Sequence, residues 1–236
     1  MAGWRSRSAG QIAVLVPAVV RHDQRAAYLA GGNDISVTTI RRWCDVAIAL
    51  LAAKAPRRDR ALKKIARGGG DVVPLDGTLI RTRRRTAKAN RKNYSGKHKS
   101  HGLLFLALTD ERGNLARTSS ARRDAAGEVK TARHDKICEH LRIAGLGALA
   151  DLGLVGLDQD PNDPVITTGV KQTRKKKLTT AQKQNNQLIA ATRAPVEHGF
   201  AALKDWRILT RLRLDPARAT NLLRVLLVLT NLETSR

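Results

Sequence analysis

Three carboxylates in three separate settings carry the chemistry open to this chain: Asp76 in VVPLDGTLI, Asp151 in ALADLGL and Glu197 in RAPVEHGFAALKDWRIL. Asp76 and Asp151 each close a short apolar run, the position from which a buried strand delivers a side chain to a sheet edge. Glu197 falls on a helical pattern. Only 20 acids stand against 44 Lys and Arg, so an acid at the end of an apolar run asks for a chemical reason. Three carboxylates brought together can hold two divalent cations ~3.5–4 Å apart, one activating the attacking oxygen of a phosphodiester reaction and one stabilising the leaving oxygen. Oxygen ligands with retained waters favour magnesium, with manganese as a substitute.

Glu197 has cationic neighbours. Arg193 precedes it by four positions and Lys204 follows it by seven, so all three share a face if one helix includes them. Alternatively, Pro195 starts the helix and Arg193 sits in the preceding cap. In both arrangements a cation stands where the non-bridging charge of a scissile phosphate needs balance. A plain surface charge pattern has the same spacing. His198 reads as a surface or packing histidine.

To bring Asp76 and Asp151 together the chain needs strands that end side by side. A first strand is predicted over residues 71–80, with Val72, Val73 and Leu75 ahead of Asp76. A second covers 102–108 and a third runs from Leu115 to Ser120, joined by a turn at 109–114 into an antiparallel hairpin. A helix over 131–142 leads to a fourth strand, Leu146 to Ala150, which runs into Asp151, and Val165 to Thr167 form a short apolar strand. Thr180 caps a helix from Ala181 to about Arg193, and another begins near Pro195. Asp215 and Pro216 open the last helix, an acidic cap followed by proline in the first turn. Its residues from Leu222 to Leu229 are apolar nearly all round, so it is expected to be buried.

Ahead of the first strand, residues 1–30 are poorly patterned and 31–34 read as a turn. Ser36 or Thr38 then opens a helix to about Lys54, with Ile40, Ala47, Leu50 and Leu51 at helical spacing. It is either the second helix of a helix-turn-helix, with Arg41 and Arg42 near phosphates, or an amphipathic helix with a solvated basic face. The stretch before Ile35 shows no convincing first helix for such a motif, as in a truncated or shifted start. A basic helical connector from Pro56 to Arg67 and a hinge at 68–70 divide the chain into an N-terminal helical, DNA-binding segment, 1–67, and a catalytic domain, 68–236.

A formal charge of +24 on 236 residues attracts polyanions, and makes DNA or RNA the leading partner. With 42% hydrophobic residues the chain can bury a real core, unlike most small basic structural proteins. Cys44 and Cys138 neither pair closely nor join a Cys/His cluster at zinc-ligand spacing, which fits a reduced, cytoplasmic protein associated with the nucleoid through DNA. The run from Ile12 to Val20 resembles a short signal peptide, but Pro17 interrupts it and no cleavage site follows. Arg224 breaks the longest apolar stretch, so no membrane span is expected. The stretch from Arg81 to His101 holds nine Lys or Arg and no acid. Within it Lys97 and Lys99 are either phosphate contacts or part of a plain basic loop.

The order strand with Asp, hairpin, helix, strand ending in Asp, helix with Glu is similar to that of a ribonuclease-H-like domain. That is an α/β fold with a mixed sheet flanked by helices, whose first and fourth strands lie side by side. The blocks DGTLI, YSGKHKSHG, LADLGLVGL and RAPVEHGFAALKDWRILT, in this order, resemble bacterial insertion-sequence transposases of the DDE superfamily, in the branch related to Harbinger elements. The similarity covers about Ile35 to Arg236. It implies an endonuclease that cuts duplex DNA at inverted-repeat ends and joins the freed 3′ hydroxyl to a target, with a homodimer expected on paired ends. By motif, Asp76, Asp151 and Glu197 match the catalytic, metal-binding triad and Lys204 the lysine after the glutamate. Arg81, Lys97, Lys99 and Arg193 join Arg41 and Arg42 as DNA contacts. The chain departs from the pattern at Leu154, where the family carries an aromatic, and at residues 122–128, where Glu128 replaces an auxiliary acid of a Pro-Gly then His-Asp element. His134 and Asp135 lie late for that element. These departures keep open the alternative of a decayed transposase that only binds DNA.

Overall fold

The computed structural model describes residues 7–55, 58–83, 93–123, 127–174, 177–210, 212–213 and 215–234. Arg5, Pro56, most of the basic stretch after Arg83, residues 124–126, Lys175, Lys176 and Arg236 lie outside them.

Strand β1 (Val72–Arg81) is central. It pairs antiparallel with β3 (Ser100–Thr109) and parallel with β6 (Gly147–Ala150), which pairs parallel with β7 (Ile166–Thr168). The short strands β2 (Tyr94–Ser95), β4 (Leu115–Thr118) and β5 (Arg122–Arg123) all pair antiparallel with β3. Neighbouring side chains on a strand point to opposite faces, and β3 is buried on both from Gly102 to Thr109. Leu103, Phe105 and Ala107 enter one apolar cluster, Leu106 and Leu108 the other.

The described residues hold eight α-helices, and they cover both faces. One cluster joins β1 and β3 to α1 (Ala9–His22), α3 (Val37–Lys54), α7 (Thr180–Lys204) and α8 (Pro216–Thr234). The other joins them to α4 (Arg58–Arg67), α5 (Glu128–His134), α6 (Ile137–Ala144) and β6. This mixed α/β architecture is compatible with the ribonuclease-H-like fold that the resemblance implies.

Several elements differ from expectation. Residues 1–30 are not poorly patterned throughout: α1 opens with a reciprocal cap between Ser8 and Gln11 and buries Leu15, Val16 and Val20, with Pro17 inside it. A short helix α2 (Ala26–Gly32) follows, so helices do precede Ile35. The stretch 131–142 is two helices, divided where Lys136 takes a left-handed backbone. From Thr180 to Lys204 there is one helix rather than two. Thr179, not Thr180, caps it, in a reciprocal pair with Gln182. Pro195 removes one N–H from the ladder, but Ile189 on one side and Val196, Phe200 and Leu203 on the other are buried and hold the two halves in line. Asp215 caps α8 as expected, its Oδ1 accepting from the N–H groups of Ala217 and Arg218 at 2.9 and 3.0 Å.

Candidate active site

The register of β1 against β6 brings the two aspartates together. The last pairs are Pro74 with Leu149 and Leu75 with Ala150, so Asp76 and Asp151 are the next residue on each parallel strand. Asp76 Oδ1 accepts the Gly77 N–H at 2.7 Å. Asp151 directly follows β6 as the cap of a 3-10 turn (Leu152–Leu154) and accepts the Gly153 N–H at 2.9 Å.

Glu128, the first residue of α5, enters between them. A Cβ on Gly77 would lie 3.1 Å from Glu128 Oε1, and one on Gly153 would run into Glu128 Oε2. The two glycines therefore leave the space its carboxylate fills. Oε2 is buried and meets no donor, while Oε1 stands 3.7 Å from the exposed Lys97 ammonium. Burial first, then the negative charge of Asp151, lifts the Glu128 pKa above the ordinary glutamate value, with Lys97 opposing.

Asp76 is likewise lifted by burial, opposed by the Arg193 guanidinium and the Gly77 N–H, and pushed further by the charges of Asp151 and Glu197. Arg193 Nη2 lies 2.9 Å from Asp76 Oδ2, and the two side chains are 14% and 15% exposed. Arg193 and Glu197 are one turn apart on α7, since that helix runs through Pro195, and Glu197 is exposed to solvent. The helix is seated on the β3–β4 turn: a Cβ on Gly113 would come 2.9 Å from the Pro195 carbonyl oxygen, and one on Gly199 2.7 Å from the Gly113 carbonyl oxygen. Lys204 is exposed as a residue, yet burial of its ammonium end lowers its pKa, with the charge of Asp76 opposing.

The acids, Arg193, Lys97 and Lys204 thus converge on one end of the sheet. Arg41 and Arg42 do not: they are exposed on α3, which packs against α1, α2 and α8. Arg81, at the far end of β1, and Lys99 are exposed. His198 is exposed, in keeping with a surface histidine. Asp135 is used inside the fold, its carboxylate accepting from Ser120 N–H at 2.7 Å and Ser120 Oγ at 3.0 Å. Leu154 is fully buried in the smaller cluster. Among the described residues no three His, Cys, Asp or Glu side chains stand at the spacing of a metal-holding set. The donor chemistry nevertheless suits a hard cation: the charges of neighbouring carboxylates add to burial in raising the pKa of Asp76 and of Glu128, a repulsion that a cation would relieve, and the buried Glu128 Oε2 has no donor. Neither the Arg193–Asp76 pair nor the roles of Gly77 and Gly153 follow from the sequence pattern alone. The glycines sit one and two residues after the aspartates, and that spacing was the available signal.

Carboxylates and cations gathered at one end of a mixed sheet are the groups that phosphodiester chemistry uses. Residues 75–231 match the family model of the DDE superfamily endonucleases, and the chain belongs to that family. No curated protein and no solved structure matches the chain. Membership implies a metal-dependent endonuclease with DNA as its substrate.

Proposed function

We propose that this chain is a transposase of the bacterial insertion-sequence type, in the Harbinger-related branch, that cleaves duplex DNA at inverted-repeat ends and joins the 3′ hydroxyl to target DNA. The observation that carries the reading is the β1–β6 register, which aligns Asp76 with Asp151, with Glu197 near enough for its charge to act on Asp76. Asp76, Asp151 and Glu197 are the catalytic carboxylates and would hold the metal, with Glu128 as the auxiliary acid. Two divalent cations, magnesium or manganese, would supply an activated attacking oxygen and a stabilised leaving oxygen. Arg193 and Lys204 balance phosphate charge beside the carboxylates, and Lys97, Lys99 and Arg81 hold the backbone of the duplex. Residues 1–67 form the DNA-binding segment, in which α2, the turn at 33–36 and α3 make a helix-turn-helix carrying Arg41 and Arg42 on phosphate, and 68–236 form the catalytic domain. Two copies act on paired ends.

The test is cleavage of a labelled duplex carrying the DNA that flanks this reading frame, with magnesium or manganese, for wild type and Asp76→Asn. Metal-dependent nicking at the repeat ends is expected, with at least ~100-fold less in the mutant. Equal cleavage by the mutant rules out this triad. Binding without nicking by wild type identifies the decayed, DNA-binding form, in which Leu154 has replaced the family's aromatic.

A further inference from the structure

Each oxygen of Asp76 already has a partner. Its Oδ1 takes the Gly77 N–H and its Oδ2 the Arg193 guanidinium. With both side chains at about 15% exposure or less, water screens this pair far less than a surface pair. Arg193 is less well served, because its Nε is buried and has no partner. A guanidinium carries five donors in a planar fork that fits phosphate with two parallel bonds. Asp76 therefore suits either Arg193 or a cation, and Arg193 suits either Asp76 or a phosphate. The Lys97–Glu128 contact is a weaker counterpart, at 3.7 Å with the lysine 68% exposed.

We propose that Arg193 couples DNA binding to metal binding. In the free protein it neutralises Asp76 and competes with the cation for that carboxylate. A DNA phosphate draws the guanidinium away and releases Asp76 as an oxygen ligand. The coupling rests on Asp76 being a metal ligand, as proposed above. By linkage, the factor by which DNA tightens metal binding equals the factor by which metal tightens DNA binding. The protein then loads its metal on DNA rather than in solution.

Equilibrium dialysis of manganese against the full chain tests this without any cleavage, with and without a short duplex of arbitrary sequence and with Asp76→Asn as background in each arm. In wild type the duplex should tighten Asp76-dependent manganese binding by roughly ten-fold, inside the usual range for coupled sites. Arg193→Gln should bind manganese tightly without DNA, and its response to DNA should fall below about two-fold. Arg193→Lys, which keeps the charge and loses the fork, should retain part of the coupling. Equal manganese affinity in wild type with and without DNA overturns the coupling and leaves Asp76 a ligand, as does an undiminished DNA effect in Arg193→Gln. Absence of Asp76-dependent manganese in every arm overturns the ligand assignment and the coupling with it.

Discussion

A methyl group at Gly153 would strike the Glu128 carboxylate and come within 3.0 Å of Asp151 Oδ1. What it strikes is the far end of a flexible side chain, so Gly153→Ala should displace Glu128 and leave the fold standing. Cleavage by Gly153→Ala and by Glu128→Gln should then fall by similar factors, and the double variant by little more than either, because both remove the same contact. Additive losses would separate the glycine from the acid. Glu128 also bears on stability. Its folded pKa is raised, so between the ordinary glutamate value and the raised one the folded state binds more protons, and stability falls as pH rises through that window. With a chelator present at neutral pH, Glu128→Gln should melt a few degrees above wild type, the effect of roughly 1 kcal/mol on a chain this long. The advantage should fade as pH drops below the ordinary glutamate range. The acids were legible because each aspartate ends an apolar run, and Glu128 because it stands near an expected acid. The Arg193–Asp76 pair was not, since it forms between a strand and a helix whose relative seating no local pattern encodes.

Helix α7 shows how an element sets the site. Its contact with the β3–β4 turn depends on Gly199, where a Cβ would meet the Gly113 carbonyl oxygen at 2.7 Å and the Leu115 side chain at 3.2 Å. Gly199→Val should cost about 1–3 kcal/mol as overpacking, read by thermal unfolding. By lifting the helix it should also move Glu197 and reduce cleavage more than the lost stability explains. An unchanged melt would show that the turn yields freely. The two largest departures from the sequence reading share one cause. Pro195 reads as a helix start and Pro17 as the interruption of an apolar run, yet both lie inside helices, because buried apolar residues on either side outweigh one missing hydrogen bond. The strands were easier: β1 and β3 are long, apolar and bounded by charge and glycine, so their boundaries moved by only a residue or two. The capping pair of Asp215 and Pro216 was legible for the same local reason.

The larger apolar cluster runs from Leu15, Val16 and Val20 of α1 through Trp43 to β3 and α8. Arg21 lies 4.8 Å over the Trp206 ring, and Trp206 Nε1 donates to Thr230 Oγ1 at 3.0 Å. Helices ahead of β1 thus share a core with the sheet, and unfolding followed by Trp43 and Trp206 emission should coincide with unfolding followed by backbone circular dichroism. Two separate transitions would mean that the amino-terminal helices come away alone. With a formal charge of +24, duplex affinity should fall steeply with salt. Arg41→Ala with Arg42→Ala should lower the slope of log affinity against log salt by about two if both reach phosphate, and an unchanged slope would make α3 a plain amphipathic helix. No described helix is long and apolar enough to cross a membrane. Strand β3 has a cost outside the native state. Its run from Gly102 to Leu108 is uncharged, rich in leucine and free of proline, the composition that stacks into intermolecular sheets when left bare. Lys97, Lys99 and His101 before it and Asp110, Glu111 and Arg112 after it are placed as gatekeepers against that stacking during synthesis, so stripping the charges of Asp110, Glu111 and Arg112 should send more of the chain into inclusion bodies while what stays dissolved still binds DNA.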